Sequence, residues 1–160
     1  MKKLLSIVLV LLTCCFSMAF FTGCDKNPYC IELSTNRTFH VLYSKLTLLE
    51  RFDEIDRNLE FITLTMYDAE AYKAYKKDPE QNAKPKPVDI TYYDYNAKPT
   101  EKDGKKEYPS VKRSSINLRM AKLNGASIYG FNLDSPGKKT LNVSFMGVKG
   151  TLEITVIGQR

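Results

Sequence analysis

The 160-residue chain has no tryptophan and a single histidine, His40. A lone histidine leaves no room for the usual nucleophile–base–orienter arrangement. Four cysteines, two of them adjacent at Cys14 and Cys15, do not make a multi-ligand metal site either. Acid is missing from the first 23 positions, which carry only Lys2 and Lys3 as charges. Net charge is scarce as well: +6 overall, nearer +4 without those two lysines. That is too weak a field to argue for a nucleic-acid partner. Composition therefore describes a small exported protein with no catalytic residues, no metal and no cofactor.

What is present begins with the leader. Lys2 and Lys3 form a charged start, Leu4 to Leu12 an apolar run, and apolar character continues to Phe21. This is the pattern of a secretory signal peptide over residues 1–23. Residues 4–23 could just span a bilayer, but Thr13, Cys14, Cys15 and Ser17 dilute their second half, and no basic cluster follows directly. The segment Phe21-Thr22-Gly23-Cys24 resembles the lipobox of bacterial lipoproteins, departing from it at Phe21, where Leu is commonest. The resemblance implies cleavage before Cys24, diacylglyceryl transfer to its sulfur and acylation of the new amino group. Two or three acyl chains hold a soluble body stably at a membrane, where one does not. The competing fate of Cys24 is a disulfide with Cys30; lipidation would leave Cys30 an odd exported thiol. Asp25, directly after Cys24, resembles an inner-membrane retention signal of some Gram-negative bacteria.

Residues 24–37 read as a lipidated tether and 38–160 as one domain. The 137 residues that remain after cleavage suffice for a single core. Period-two alternation dominates: Phe39/Val41/Tyr43, Ile62/Leu64/Met66, Val88/Ile90/Tyr92, Ile116/Leu118/Met120, Leu141/Val143/Phe145 and Leu152/Ile154/Val156. With a short run at Ile128 and Tyr129, about seven strands are expected, each with one apolar face. Such a set predicts two antiparallel sheets packed face to face. No long capped helix is expected; one short helix is predicted at Ala69 to Lys77, ended by Pro79. The final hairpin is expected to turn at Gly147-Val148, pairing Val143 with Leu152 and Leu141 with Ile154. Residues 68–110 hold five prolines and six tyrosines and read as a long excursion carrying one strand near Val88 to Tyr93.

From about Leu59 onward the order of motifs resembles the bacterial immunoglobulin-like domains, the Big family, particularly its third group. The resemblance is carried by Ser127-Ile128-Tyr129-Gly130-Phe131-Asn132, Ser135-Pro136-Gly137-Lys138-Lys139-Thr140, the strand Leu141 to Phe145 with Gly147, and Leu152 to Val156. It covers the last 45 or so residues well, and the 68–110 insertion departs from the family's compact length. It implies an Ig-like antiparallel β-sandwich of about seven strands, used as a spacer, adhesion or carbohydrate-contact module without shared catalytic residues.

Asp53, Glu54 and Asp56 alternate with Arg51 and Arg57, which reads as a solvated turn in place of the facing carboxylates a glycosidase needs. Asp89, Asp94 and Asp103 lack calcium-loop spacing. His40 reads as a surface-facing strand residue, and Lys112, Arg113, Arg119 and Lys122 as a solvated basic face. Tyr92, Tyr93 and Tyr95 are the candidate ligand contacts, because tyrosine offers stiff contact area with a polar tip. Period two puts Tyr93 and Tyr95 on one face, so half of the set is open to a core role. The expected function is a membrane-anchored envelope module for binding, adhesion or scaffolding, with a protein or glycan ligand. The alternative is a lipid-anchored accessory subunit of an envelope enzyme or transport complex.

Overall fold

The computed structural model describes residues 27–42 and 44–158. The leader, Phe21, Thr22, Gly23 and Cys24 lie outside the described residues. The chain is β-rich, with most strand pairs antiparallel.

The first strand, β1 (Tyr29–Ser34), lies within the stretch expected to be tether. It pairs antiparallel with β3 (Thr63–Asp68) through all six residues, Cys30 opposite Tyr67 and Leu33 opposite Leu64. Ile31 and Leu33 are buried, so the segment has an apolar face of its own, which a solvated tether would waste. On its other edge β3 pairs with β8 (Ser115–Asn117), completing the order β1-β3-β8. A second sheet has the order β2-β11-β10-β9, built from β2 (Phe39–His40), β9 (Ser127–Tyr129), β10 (Gly137–Phe145) and β11 (Val148–Ile157). Here β2 runs parallel to β11, and β9, β10 and β11 form a meander. The two sheets share one core that includes Leu33, Leu64, Phe39, Leu141, Ile154 and Val156. At Gly150 the sheets approach so closely that an added Cβ would lie 2.8 Å from Ile31 Cγ2.

Helices depart furthest from expectation. α1 (Leu48–Leu59) is a twelve-residue helix where no long capped helix was expected. A capping box starts it: Thr47 Oγ1 accepts from the Glu50 amide, and the Glu50 carboxylate accepts from the Thr47 amide at 2.8 Å. The Thr47 hydroxyl, which donates to the Glu50 carboxylate at 2.7 Å, and then the Thr47 amide hold the Glu50 carboxyl below its ordinary value. Asp53, Glu54 and Asp56 are therefore on a helix and not in a turn. α2 (Ala69–Lys77) occupies the predicted span, capped by Asp68, which accepts from the Ala71 amide at 2.9 Å. α3 (Leu118–Leu123) replaces the second half of the predicted strand at Ile116 to Met120. Asn117 Oδ1 accepts from the Met120 amide at 2.8 Å and turns the chain into the helix.

The final hairpin turns at Met146-Gly147, with φ of +51° and +76° as a two-residue type I′ turn requires. Leu141 faces Leu152, Val143 faces Gly150 and Phe145 faces Val148. The register thus differs by two residues from expectation, which keeps every side chain on its face. The gain is the burial of Val148 and the seating of Ile31 over Gly150. The 68–110 excursion is also more structured than one strand. Besides α2 it holds β4 (Ile90–Tyr93) and the hairpin of β5 (Thr100–Lys102) and β6 (Lys105–Glu107). β4 pairs with β7 (Ser110–Arg113).

Candidate functional site

β4 sets the site. Ile90 enters the core, Tyr92 packs partly buried against it, and Thr91 and Tyr93 point away. Of the three candidate tyrosines, Tyr92 is thus the core-facing one, while Tyr93 and Tyr95 are 56% and 38% exposed.

The amide and carbonyl of Tyr93 face away from β7, since the Asp94 amide donates to Pro109 O at 2.9 Å and successive residues alternate. The side chain of Asn124 takes the place of a neighbouring strand. Its Oδ1 accepts from the Tyr93 amide at 2.8 Å and its Nδ2 donates to Tyr93 O at 3.0 Å. Nδ2 also donates to Met120 O at 3.0 Å, which ties the tyrosine strand to the end of α3. Next, Asp94 accepts from the Asn96 amide at 3.0 Å and makes the turn that carries Tyr95.

Tyr95 meets Tyr108 with ring centroids 4.7 Å apart. Tyr93, Tyr95 and Tyr108, with Lys106 and Glu107 from β6, line an open cleft of about 560 Å³. A second hollow of about 370 Å³ shares Tyr93 and Tyr95 with the cleft and is lined further by Ser110, Leu123, Asn124 and Met146. Three tyrosine rings, a cation and a carboxylate can hold a sugar or an extended peptide by stacking and hydrogen bonds. They form no nucleophile–base pair.

The β5–β6 hairpin that supplies Lys106 and Glu107 went unrecognised in the sequence. Asp103-Gly104, the turn at φ of +51° and +71°, was its available signal. Tyr108, Leu123 and Met146 had no comparable signal, because only tertiary packing brings them to Tyr93.

A second cluster is structural. Glu32 accepts from Tyr72 Oη at 2.7 Å, Tyr67 Oη at 3.1 Å and Lys84 Nζ at 2.7 Å. Burial works against the Glu32 charge, but the bonds from Lys84, Tyr72 and Tyr67 outweigh it and hold the carboxyl below its ordinary value. Burial and the adjacent Glu32 push the Tyr72 hydroxyl far up, so it remains a donor. Tyr67 and Tyr72 stack at 4.7 Å, and Lys84 lies 5.2 Å from the Tyr67 ring centroid. Beside them Cys30 is half-buried, and burial, then Asp68 and Glu32, raise its thiol, which favours the protonated form. The cluster clamps the 69–87 segment onto the outer face of β1 and β3.

The remaining candidates are dispersed. Asp56 pairs with Lys122 at 2.6 Å, Glu54 with Arg57 at 3.3 Å, and Arg119 with Glu60. Two of the four basic residues are thus engaged by acids, and Lys112 and Arg113 lie on another element. His40 Nδ1 lies 3.1 Å from Gly158 O. Asp94 and Asp103 sit in separate turns, and among the described residues no three His, Cys, Asp or Glu side chains are grouped to hold a metal. No helix among the described residues is long and apolar enough to cross a membrane. Comparison with family models, curated proteins and solved structures gives no match.

Proposed function

We propose that this chain is a membrane-anchored bacterial lipoprotein, held by lipid on Cys24, whose body is a non-catalytic binding, adhesion or scaffolding module of the cell envelope. The body is read as an Ig-like sandwich of the Big kind. A three-stranded and a four-stranded sheet over one core support that reading, as does the parallel seating of β2 on β11. The meander order of β9, β10 and β11 is a departure from the Greek-key order of immunoglobulin domains.

The observation that carries the binding reading is the open cleft between Tyr93, Tyr95 and Tyr108. Its ligand is an envelope or host glycan, or an extended protein segment. The test is binding of the full chain to arrayed glycans and peptides, repeated with Tyr93→Ala and Tyr108→Ala. Loss of a hot-spot aromatic costs about 2 kcal/mol, roughly a 30-fold weaker Kd. Ligands whose affinity ignores both substitutions would remove the cleft from the function. Metabolic labelling with a palmitate analogue tests the anchor: Cys24→Ala is expected to abolish labelling and release the protein from membranes.

One observation favours the second reading, a lipid-anchored accessory subunit. Leu48, Leu49 and Phe52 on α1 are 70%, 71% and 56% exposed, a cluster that suits a protein partner. A stoichiometric partner recovered from intact membranes with the native chain, and lost with Leu49→Glu, would favour it.

A further inference from the structure

The chain enters the described fold beside the β10–β11 turn. An added Cβ on Gly147 would lie 3.7 Å from Asn27 Nδ2, and the Ala69 amide donates to Pro28 O at 2.8 Å. The turn's own Met146 shares the hollow with Leu123 and Tyr93. Met146, Leu123, Tyr93 and Tyr29 are 56%, 51%, 56% and 41% exposed. Met146 thus lies next to the glycine that Asn27 approaches, and Leu123 and Tyr93 share its hollow. Leu48, Leu49 and Phe52 belong to the first half of α1, whose Arg51 pairs with Asp134, three residues before β10 starts, whereas Met146 follows the last residue of β10; it is the second half of α1 that reaches the Leu123 side, through Asp56 and Lys122.

We infer that this end, formed by Met146, Leu123 and Tyr93 beside Asn27, is a membrane-contact surface that rests in the headgroup region of a bilayer. The inference rests on the lipid-anchor reading of Cys24. Asn27 follows Cys24 by three residue steps, which in a fully extended chain span roughly 10 Å. Acyl chains attached at Cys24 therefore hold the β10–β11 turn within about that distance of the lipid. Interfacial groups bury roughly 5–10 Å into the headgroup boundary, so the apolar side chains of this end reach it without unfolding. Tyrosine suits that depth, with its ring in the boundary and its hydroxyl in water. Tyr93 also walls the cleft, so the cleft opens at the level of the headgroups and meets ligands lying along the membrane.

The absence of tryptophan makes the surface directly readable. Single tryptophans are placed at Met146, Leu123 and, as the distant control, Leu49 of the full lipidated chain. Each variant is reconstituted in vesicles of phosphatidylethanolamine and phosphatidylglycerol, with and without brominated acyl chains, after flotation. Emission from Met146→Trp and Leu123→Trp is expected to fall in brominated vesicles, while that of Leu49→Trp stays unchanged. All three positions are exposed, and near-ultraviolet dichroism checks each fold. Chains that float but show no quenching at 146 and 123, or equal quenching at 49, overturn the contact surface and leave the anchor standing. Chains that fail to float overturn the anchor and the surface together.

Discussion

The Asn124 side chain stands in for a strand, which gives a measurable prediction. Asn124→Ala removes the acceptor of the Tyr93 amide and the donor to Tyr93 O, two bonds of 2.8 and 3.0 Å. Each contributes about 1 kcal/mol net, so the pair is worth about 2 kcal/mol, or roughly a 30-fold change in a local opening equilibrium. The Tyr93 amide faces away from β7, so no ladder bond replaces what is lost. Amide hydrogen exchange followed by NMR should show Tyr93 exchanging roughly 30-fold faster, with the amides of β3 as slow as before. Asn124→Asp keeps an acceptor for Tyr93 and should retain much of the protection. The reasoning fails if the Tyr93 amide is equally slow in Asn124→Ala, or if Asn124→Asp exchanges as fast as Asn124→Ala. Loosening β4 also loosens the cleft, so ligand affinity should drop in Asn124→Ala without any ligand contact being removed.

Glu32 predicts a pH dependence. Its folded carboxyl titrates below the ordinary value of 4.5, so its contribution is fully present above that pH and is lost as the pH falls through the lower folded value. In urea titrations the stability gap between the native chain and Glu32→Gln should be widest at neutral pH and should narrow in acid; a constant gap would refute the clamp's ionic character. Gly130 predicts a severe glycine defect, because its φ is +77° and an added Cβ would collide with the Thr140 carbonyl oxygen. A left-handed alanine and a backbone collision together cost about 2–5 kcal/mol. A midpoint in urea unchanged by Gly130→Ala would contradict that geometry.

Much of the β architecture was legible because one-sided strands alternate visibly. Ile62/Leu64/Met66 and Leu141/Val143/Phe145 are buried as their period demands. The short helix at Ala69 to Lys77 was legible from its alanines and the following proline. The misses share a cause: an apolar run of three to five residues is too short for spacing to separate helix from strand, as at Ile116/Leu118/Met120, and the deciding residues were caps. Thr47 with Glu50 starts α1, and Asn117 starts α3. The hairpin register was ambiguous because Gly147 serves either turn and a two-residue shift preserves parity; the choice depends on Ile31, over a hundred positions away. For the site, Tyr93 and Tyr95 stood out as polar-tipped aromatics, whereas Tyr108 and Met146 join them only through packing.

The entry of the chain beside the β10–β11 turn has a mechanical consequence. A body held through Asn27 and pulled by a ligand at Tyr93 would be loaded between two points near the β10–β11 turn. Tension drawn out along β1 shears its six pairs with β3 together, since the strand is pulled along its own axis. Force across the strand would instead part the pairs one at a time.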